Sequence, residues 1–217
     1  MKGEKEKMTQ VTDEIRKHAR NPQGEAGKIM IQAMNIGHKE LTEWAFHFLA
    51  FQSTEMILDI GCGGGVAVKM LSQHTPEGRV YGIDYSKTAI ECAENENCKK
   101  ISEGKVVISR ESVEKLSFAD ESFDKVFSIE SYYFWPNLAE NMKEVYRVIK
   151  PGGKFILVAE MVKIRPINPV KEKIIKELDM TWLSPEEIRS LFHHTGYQKI
   201  DLYYDGQNGW LCVVGEK

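Results

Sequence analysis

The feature that most constrains this chain is a run of glycines directly behind a short apolar segment. Met56-Ile57-Leu58-Asp59-Ile60 is followed by Gly61-Cys62-Gly63-Gly64-Gly65, and then by Val66 to Gln73, whose apolar residues recur at helical spacing. Four glycines in five positions make a tight turn where a ligand can touch main chain, because no Cβ stands in the way. The helix beyond begins with N–H groups that have no partner inside the helix.

The alternation continues along the chain. Arg79 to Ile83, Lys105 to Ser109, Lys125 to Ile129 and Lys154 to Glu160 read as further short strands, with helical patterns between most of them. Strands separated by helices cannot pair as hairpins, so the expected fold class is α/β, a doubly wound, mostly parallel sheet with helices on both faces. Lys39 to Phe51 reads as one helix through Leu41, Trp44, Ala45, Phe48 and Leu49. Ser86 is expected to cap a helix. Asn137 with Glu140 is expected to form a capping box on a helix that runs to Lys150 and stops at Pro151-Gly152-Gly153. Ser184-Pro185-Glu186-Glu187 reads as a second capping box, with Gly196 as the stop of its helix. Gln198 to Tyr204 and Trp210 to Gly215 should close as an antiparallel pair around Asp205-Gly206.

In such sheets ligands bind past the C-terminal ends of the strands. The glycine loop lacks the G-x-G-x-x-G spacing of a dinucleotide site, since Val66 stands at the third position, and no G-x-x-x-x-G-K-[ST] is present. A nucleoside ligand without phosphates is left, and S-adenosylmethionine is the obvious candidate. Asp84 ends the second strand. It is placed to accept both hydroxyls of a ribose, a feature that NAD proteins share.

Residues 56–65 resemble the first motif of the class I S-adenosylmethionine-dependent methyltransferases, and Val80 to Ser86 resembles the second. Glu114 to Asp124 is similar to the family's stretch before the fourth strand, Glu144 to Gly153 to its helix-to-fifth-strand signature, and Leu183 to Tyr197 to its late helix. The five occur in the family's order. The resemblance implies a Rossmann-like, seven-stranded sheet with the last strand antiparallel. It implies a cofactor-binding domain over 39–217 and an N-terminal cap over 1–38, hinged at Gly24, Gly27 and Gly37. It also implies a cofactor set of Asp59, Gly61, Cys62, Gly63, Asp84, Tyr85, Ser112, Val113 and Glu130. Tyr85 would pack on the adenine, Ser112 and Val113 would lie beside it, and Glu130 would lie near the methionine end. The subfamily it points to is the broad methyltransferase-11-like group acting on small molecules.

Methyl transfer from a sulfonium is an in-line displacement, so alignment and water exclusion dominate. A base helps where the acceptor must lose a proton. Relatives often carry His after strand four, whereas this chain reads Glu130-Ser131-Tyr132-Tyr133-Phe134-Trp135. Tyr132, Tyr133 and Trp135 are expected to contact an apolar or aromatic acceptor. Glu130, Tyr132 and His38 are candidates for the catalytic role, and none is assigned to it. A protein or RNA acceptor, and a binding module without turnover, are the alternatives carried forward.

The net charge of −3 gives no global attraction to nucleic acid. No apolar run reaches the roughly 18 residues of a membrane helix, and the mixed charges of Met1 to Arg20 do not make a secretory signal. Four cysteines without a CxxC pattern argue against a zinc site or a disulfide framework, so no metal is expected, and a reducing cytoplasm fits.

Overall fold

A computed structural model describes residues 16–164, 166 and 168–217 of the chain. Most of the charged N-terminal segment, and part of the stretch between Met161 and Trp182, lie outside the described residues. The order of elements is α1 (Gly24–Gly37), α2 (Lys39–Phe46), β1 (Met56–Ile60), α3 (Val66–His74), β2 (Arg79–Asp84), α4 (Lys87–Glu96), α5 (Cys98–Ser102), β3 (Val106–Arg110), β4 (Phe123–Ile129), α6 (Leu138–Val148), β5 (Ile149–Ala159), α7 (Pro169–Glu177), α8 (Pro185–Thr195), β6 (Gln198–Asp205) and β7 (Trp210–Glu216).

The strands form one seven-stranded sheet in the order β3-β2-β1-β4-β5-β7-β6. β1 pairs in parallel with β2 and β4, β2 with β3, and β4 with β5, while β7 runs antiparallel to both β5 and β6. This is the expected α/β architecture with an antiparallel last strand. Apolar clusters fill both faces of the sheet, one around Leu58, Phe123, Phe155 and Phe192, the other around Ile57, Leu71, Phe127 and Val158. Neighbouring residues of a strand point to opposite faces, which is why Met56 to Leu58 of β1 and Phe155 to Ala159 of β5 are continuous apolar runs. No helix of the described residues is long and apolar enough to cross a membrane.

Two of the expected caps form. The Ser86 hydroxyl accepts the Ala89 N–H, and Ser184 and Glu187 make the reciprocal capping box with Pro185 at the first helical position. Gly196 ends α8 with a φ of +115°. The Asn137 box does not form. Asn137 adopts a left-handed backbone with no side-chain cap, its carbonyl takes the N–H groups of Glu140 and Asn141, and Glu140 pairs with Lys143 instead.

The expected stop at Pro151-Gly152-Gly153 is instead the opening of β5. The strand starts at Ile149, Gly152 turns with a φ of +76° and donates its N–H to the Lys217 carbonyl, and the Gly153 carbonyl accepts the Lys217 N–H. A Cβ at Gly153 would lie 2.9 Å from the Asp124 carbonyl, so glycine is required there to keep β4 and β5 close. The helix expected over 39–51 ends at Phe46. Short i→i−3 bonds tighten its end, and this releases Phe48 to stack on Tyr203 at 4.1 Å and Phe51 to stack on His74 at 4.5 Å. Gly24 and Gly37 are the first and last residues of α1, and Gly27 lies in its first turn. A Cβ on Gly27 would meet Pro22 at 2.7 Å, so this glycine lets the preceding chain fold back on the helix.

Beneath the sheet's N-terminal edge, Lys125 and Glu55 form an ion pair with both side chains over nine-tenths buried. The Phe51 ring lies 5.4 Å from the ammonium. Removing one partner of such a pair strands the other charge, at a cost of about 3–5 kcal/mol, whereas an apolar pair of similar volume is tolerated. Lys125→Met should therefore lower unfolding free energy by about 3–5 kcal/mol in urea melts, and adding Glu55→Leu to it should recover most of the loss.

Candidate active site

The cavity lies over the C-terminal ends of β1, β2, β3 and β4, as the parallel topology requires. It has a volume of about 420 Å³. The order of strands sets the order of its wall. Ser112 and Val113 follow β3, Asp84 and Tyr85 follow β2, the glycine loop follows β1, and Glu130 follows β4.

The loop is anchored at its start by Gly61 and Cys62, whose N–H groups both donate to the Ile83 carbonyl, at 2.8 and 2.9 Å. Its glycines then serve different ends. A Cβ on Gly61 would lie 2.4 Å from that of Ser131, one on Gly64 would strike Asn35 at 2.3 Å, and one on Gly65 would strike Asn97 at 2.6 Å. These three positions admit side chains from the segment after β4, from α1 and from the end of α4. Gly63 differs, because no atom lies within 4 Å of where its Cβ would be and its φ is +52°. It leaves main chain bare toward the cavity, and its N–H donates to Asp84 Oδ2 at 3.1 Å.

Asp84 Oδ1 accepts the Ser86 N–H at 2.8 Å. The two backbone donors hold the carboxylate in place while burial pushes its pKa up. Asp59 is 1% exposed and lines the cavity, and its Oδ1 has no hydrogen-bond partner among the described residues. Burial, and then the charge of Asp84, raise its pKa to about 7. A buried acceptor facing a cavity without a partner is suited to a ligand's N–H or O–H. Cys62 is also buried, and its thiol is pushed well above the usual range, first by burial and then by Asp84. Tyr85 is 41% exposed, and its hydroxyl donates to the Arg20 carbonyl, which ties the N-terminal segment across the mouth. Ser86 ties the same segment at Pro22, at 2.7 Å.

The aromatic run after β4 divides. Trp135 and Phe134 line the cavity. Tyr132 and Tyr133 are 0% and 2% exposed and belong to the core on one face of the sheet, not to the cavity wall. Both were expected against an acceptor; they lie in the 3₁₀ turn over Tyr132–Phe134, with their rings 4.4 Å apart. Burial pushes both phenols far above their ordinary range. Tyr133 has a different task. Its hydroxyl donates to Glu130 Oε1 at 2.6 Å and accepts the Met161 N–H at 3.0 Å.

Glu130 has a φ of +56°, uncommon for a residue with a Cβ. Its Oε1 also accepts the Glu160 N–H at 2.6 Å. Its Oε2 faces His38 Nε2 at 3.8 Å. Burial, then the neighbouring Glu160, raise the Glu130 pKa to about 8, and burial lowers that of His38. His38, far away in sequence, reaches this point because it forms the junction between α1 and α2. Sequence reasoning missed three residues of the site. Glu160 follows β5, so the rule that sites lie past strand ends could have found it. Ser131, whose hydroxyl donates to the Ile60 carbonyl at 2.6 Å, carried the same signal. Asn35 carried none, because α1 has no strong helical pattern.

Residues 58–157 match the family described as a methyltransferase domain. The chain is 24% identical over 187 residues to an uncharacterised methyltransferase, YdaC, of Bacillus subtilis, covering 83% of this chain and 92% of that one. It is 27% identical over 150 residues to the O-methyltransferase cnsE of Penicillium expansum, covering 68% of this chain and 54% of that one. The chain thus spans about half the length of several of the curated relatives it matches. Among solved structures, a SAM-dependent methyltransferase from Aquifex aeolicus superposes with a TM-score of 0.68 at 18% identity, over 86% of this chain and 95% of that one. Phosphoethanolamine N-methyltransferase 2 of Haemonchus contortus, in complex with S-adenosyl-L-methionine, superposes with a TM-score of 0.69 at 17% identity, over 86% and 58%. The fold is that of the S-adenosylmethionine-dependent methyltransferases. The likeness to a methyltransferase domain lies in residues 58–157, which hold the glycine loop, Asp84 and Glu130.

Asp59 generates a pH prediction for the cofactor-free chain. Its folded pKa lies above its unfolded value near 3.9, so the fold favours the protonated form. Its contribution to stability is fully present below about pH 4 and is lost as pH rises to about 7, beyond which it is flat. Wild type should lose a few kcal/mol relative to Asp59→Asn across that window when both are unfolded in urea at a series of pH values. A constant difference would contradict the buried, unpartnered carboxyl.

Proposed function

We propose that the cavity holds S-adenosylmethionine across β3, β2 and β1 and presents its methyl group to a small-molecule acceptor beside β4. Asp84 would receive the ribose hydroxyls, Ser112, Val113 and Tyr85 would border the adenine, and Gly63 would offer bare main chain. The orphaned Oδ1 of Asp59 supplies an acceptor for the polar groups in between. The bound sulfonium would bring the activated methyl. The chain's own share of the work is to bind, to align the acceptor and to exclude water.

The observation that carries the small-molecule reading is the wall that the N-terminal segment adds to the cavity. Ala19, Arg20, Pro22, Met34, Asn35 and His38 line the cavity from the N-terminal side, and α1 sits against Gly64. We read the segment through His38 as a cap over the cofactor, with the remaining chain as the catalytic domain. A pocket of about 420 Å³ lies within the range for compact ligands. The acceptor end is bounded by Phe134, Trp135 and Pro136 with the polar pair His38 and Glu130, which suits a largely apolar acceptor with one polar reacting group. Relatives described as O-methyltransferases, a demethylmenaquinone methyltransferase and sterol methyltransferases support this class. Four free cysteines support a reducing, cytoplasmic setting.

Calorimetric titration tests the cofactor assignment. Asp84→Ala should weaken S-adenosylmethionine binding by about 1.5–3 kcal/mol, the worth of hydrogen bonds to a charged group. An unchanged affinity would remove Asp84 from the ribose. Formation of S-adenosylhomocysteine with a small-molecule acceptor, and none with protein or RNA, separates the proposed reading from its alternatives.

A further inference from the structure

The acceptor end of the cavity contains an arrangement that methyl transfer from a sulfonium does not itself demand. His38, Glu130 and Glu160 come from the α1–α2 junction, the end of β4 and the end of β5, and their ligand atoms all lie within 4.8 Å of one another. Glu130 is 7% exposed in its side chain, and its Oε2 faces His38 Nε2 at 3.8 Å. The other oxygen is fixed by two donors, the Tyr133 hydroxyl and the Glu160 N–H, both at 2.6 Å. Oε2 accepts no hydrogen bond from another described side chain, and the orientation of the carboxylate is already set.

Two carboxyl groups and an imidazole from three separate elements converge at this point. The nearby ammonium of Lys171 donates to the Glu160 main-chain carbonyl at 2.8 Å, not to either carboxylate. A cation held between the three would neutralise the carboxylates and use the imidazole lone pair.

We propose that His38, Glu130 and Glu160 form a binding site for one divalent transition-metal ion of the Mn, Fe, Co or Zn class. One imidazole nitrogen with two carboxylate oxygens is a mixed donor set that suits these ions better than Ca²⁺ or a thiol-seeking metal. Two ligands on one such ion, at metal bonds of about 2.0–2.2 Å, lie about 3–3.5 Å apart. The present separations need only a small closure, and His38 stands at a helix junction that allows it. Tyr133 and the Glu160 N–H are the outer groups that orient a metal-binding carboxylate. Because His38 and Glu130 line the cavity, the ion's open positions would face the acceptor, and an oxygen-bearing acceptor is the class it would hold. The site rests on side-chain geometry and stands independently of how the cofactor binds.

The test uses the full chain, stripped of metal with a chelator and titrated with Co²⁺ alone, read by visible absorption, and with Mn²⁺, read by electron paramagnetic resonance. The expected result is saturation at one ion per chain. Glu160→Gln and His38→Gln should each weaken it by at least about 100-fold, and Tyr133→Phe by about 10–100-fold through the outer group. Metal-free melting curves establish that each variant is folded, and if one is not, the other two decide. Absence of saturable binding below millimolar Co²⁺ and Mn²⁺ overturns the proposal, as does saturation that is indifferent to both Glu160→Gln and His38→Gln. S-adenosylmethionine binding by the same samples, measured without metal, separates failure of this site from failure of the cofactor assignment.

Discussion

The structure depends on close approach at the turn between β1 and α3. Ser131, Asn35 and Asn97 occupy the space that Cβ atoms at Gly61, Gly64 and Gly65 would fill. Three parts of the chain are therefore seated on one turn, and any side chain larger than hydrogen would push one of them away. The same contacts place the segment after β4 and helix α1 around the one glycine, Gly63, that stays bare. The packing constraint and the binding surface are two faces of one loop.

From that turn the chemistry is laid out by strand order. Asp84 is fixed by main-chain donors from Gly63 and Ser86, so the wall on the β2 side is rigid and acidic. Beyond β4 the wall changes character, with aromatic rings and a His38–Glu130–Glu160 cluster from three distant elements. The N-terminal segment joins the two ends. Tyr85 and Ser86 hold it at Arg20 and Pro22 on the β2 side, and α1 carries it across the loop to His38 on the β4 side.

Much of this was legible in the sequence, for physical reasons that can be stated. Strands such as Ile156 to Ala159 are apolar throughout because both faces of the sheet are covered, and the Ser184 box and Gly196 are local devices that work whatever surrounds them. The gathering of Asp59, Gly61, Gly63, Asp84 and Glu130 around one cavity was legible because it is local too, lying directly behind strands that the pattern reveals. What was hidden depended on tertiary contact. Pro151-Gly152-Gly153 looks like a helix stop, yet pairing with Lys217 makes it a strand. Tyr132 and Tyr133 look like a cavity rim, yet one 3₁₀ turn sends them inward. The meeting of His38 with Glu130 spans more than ninety positions of sequence, and no local pattern could announce it.

The most direct measurement is a crystal structure of the chain with S-adenosylhomocysteine bound. The account requires the sugar hydroxyls on the Asp84 carboxylate, main-chain contact at Gly63, and the sulfur directed toward Glu130. A ligand lying elsewhere, or one whose sugar is held by groups other than Asp84, would contradict it.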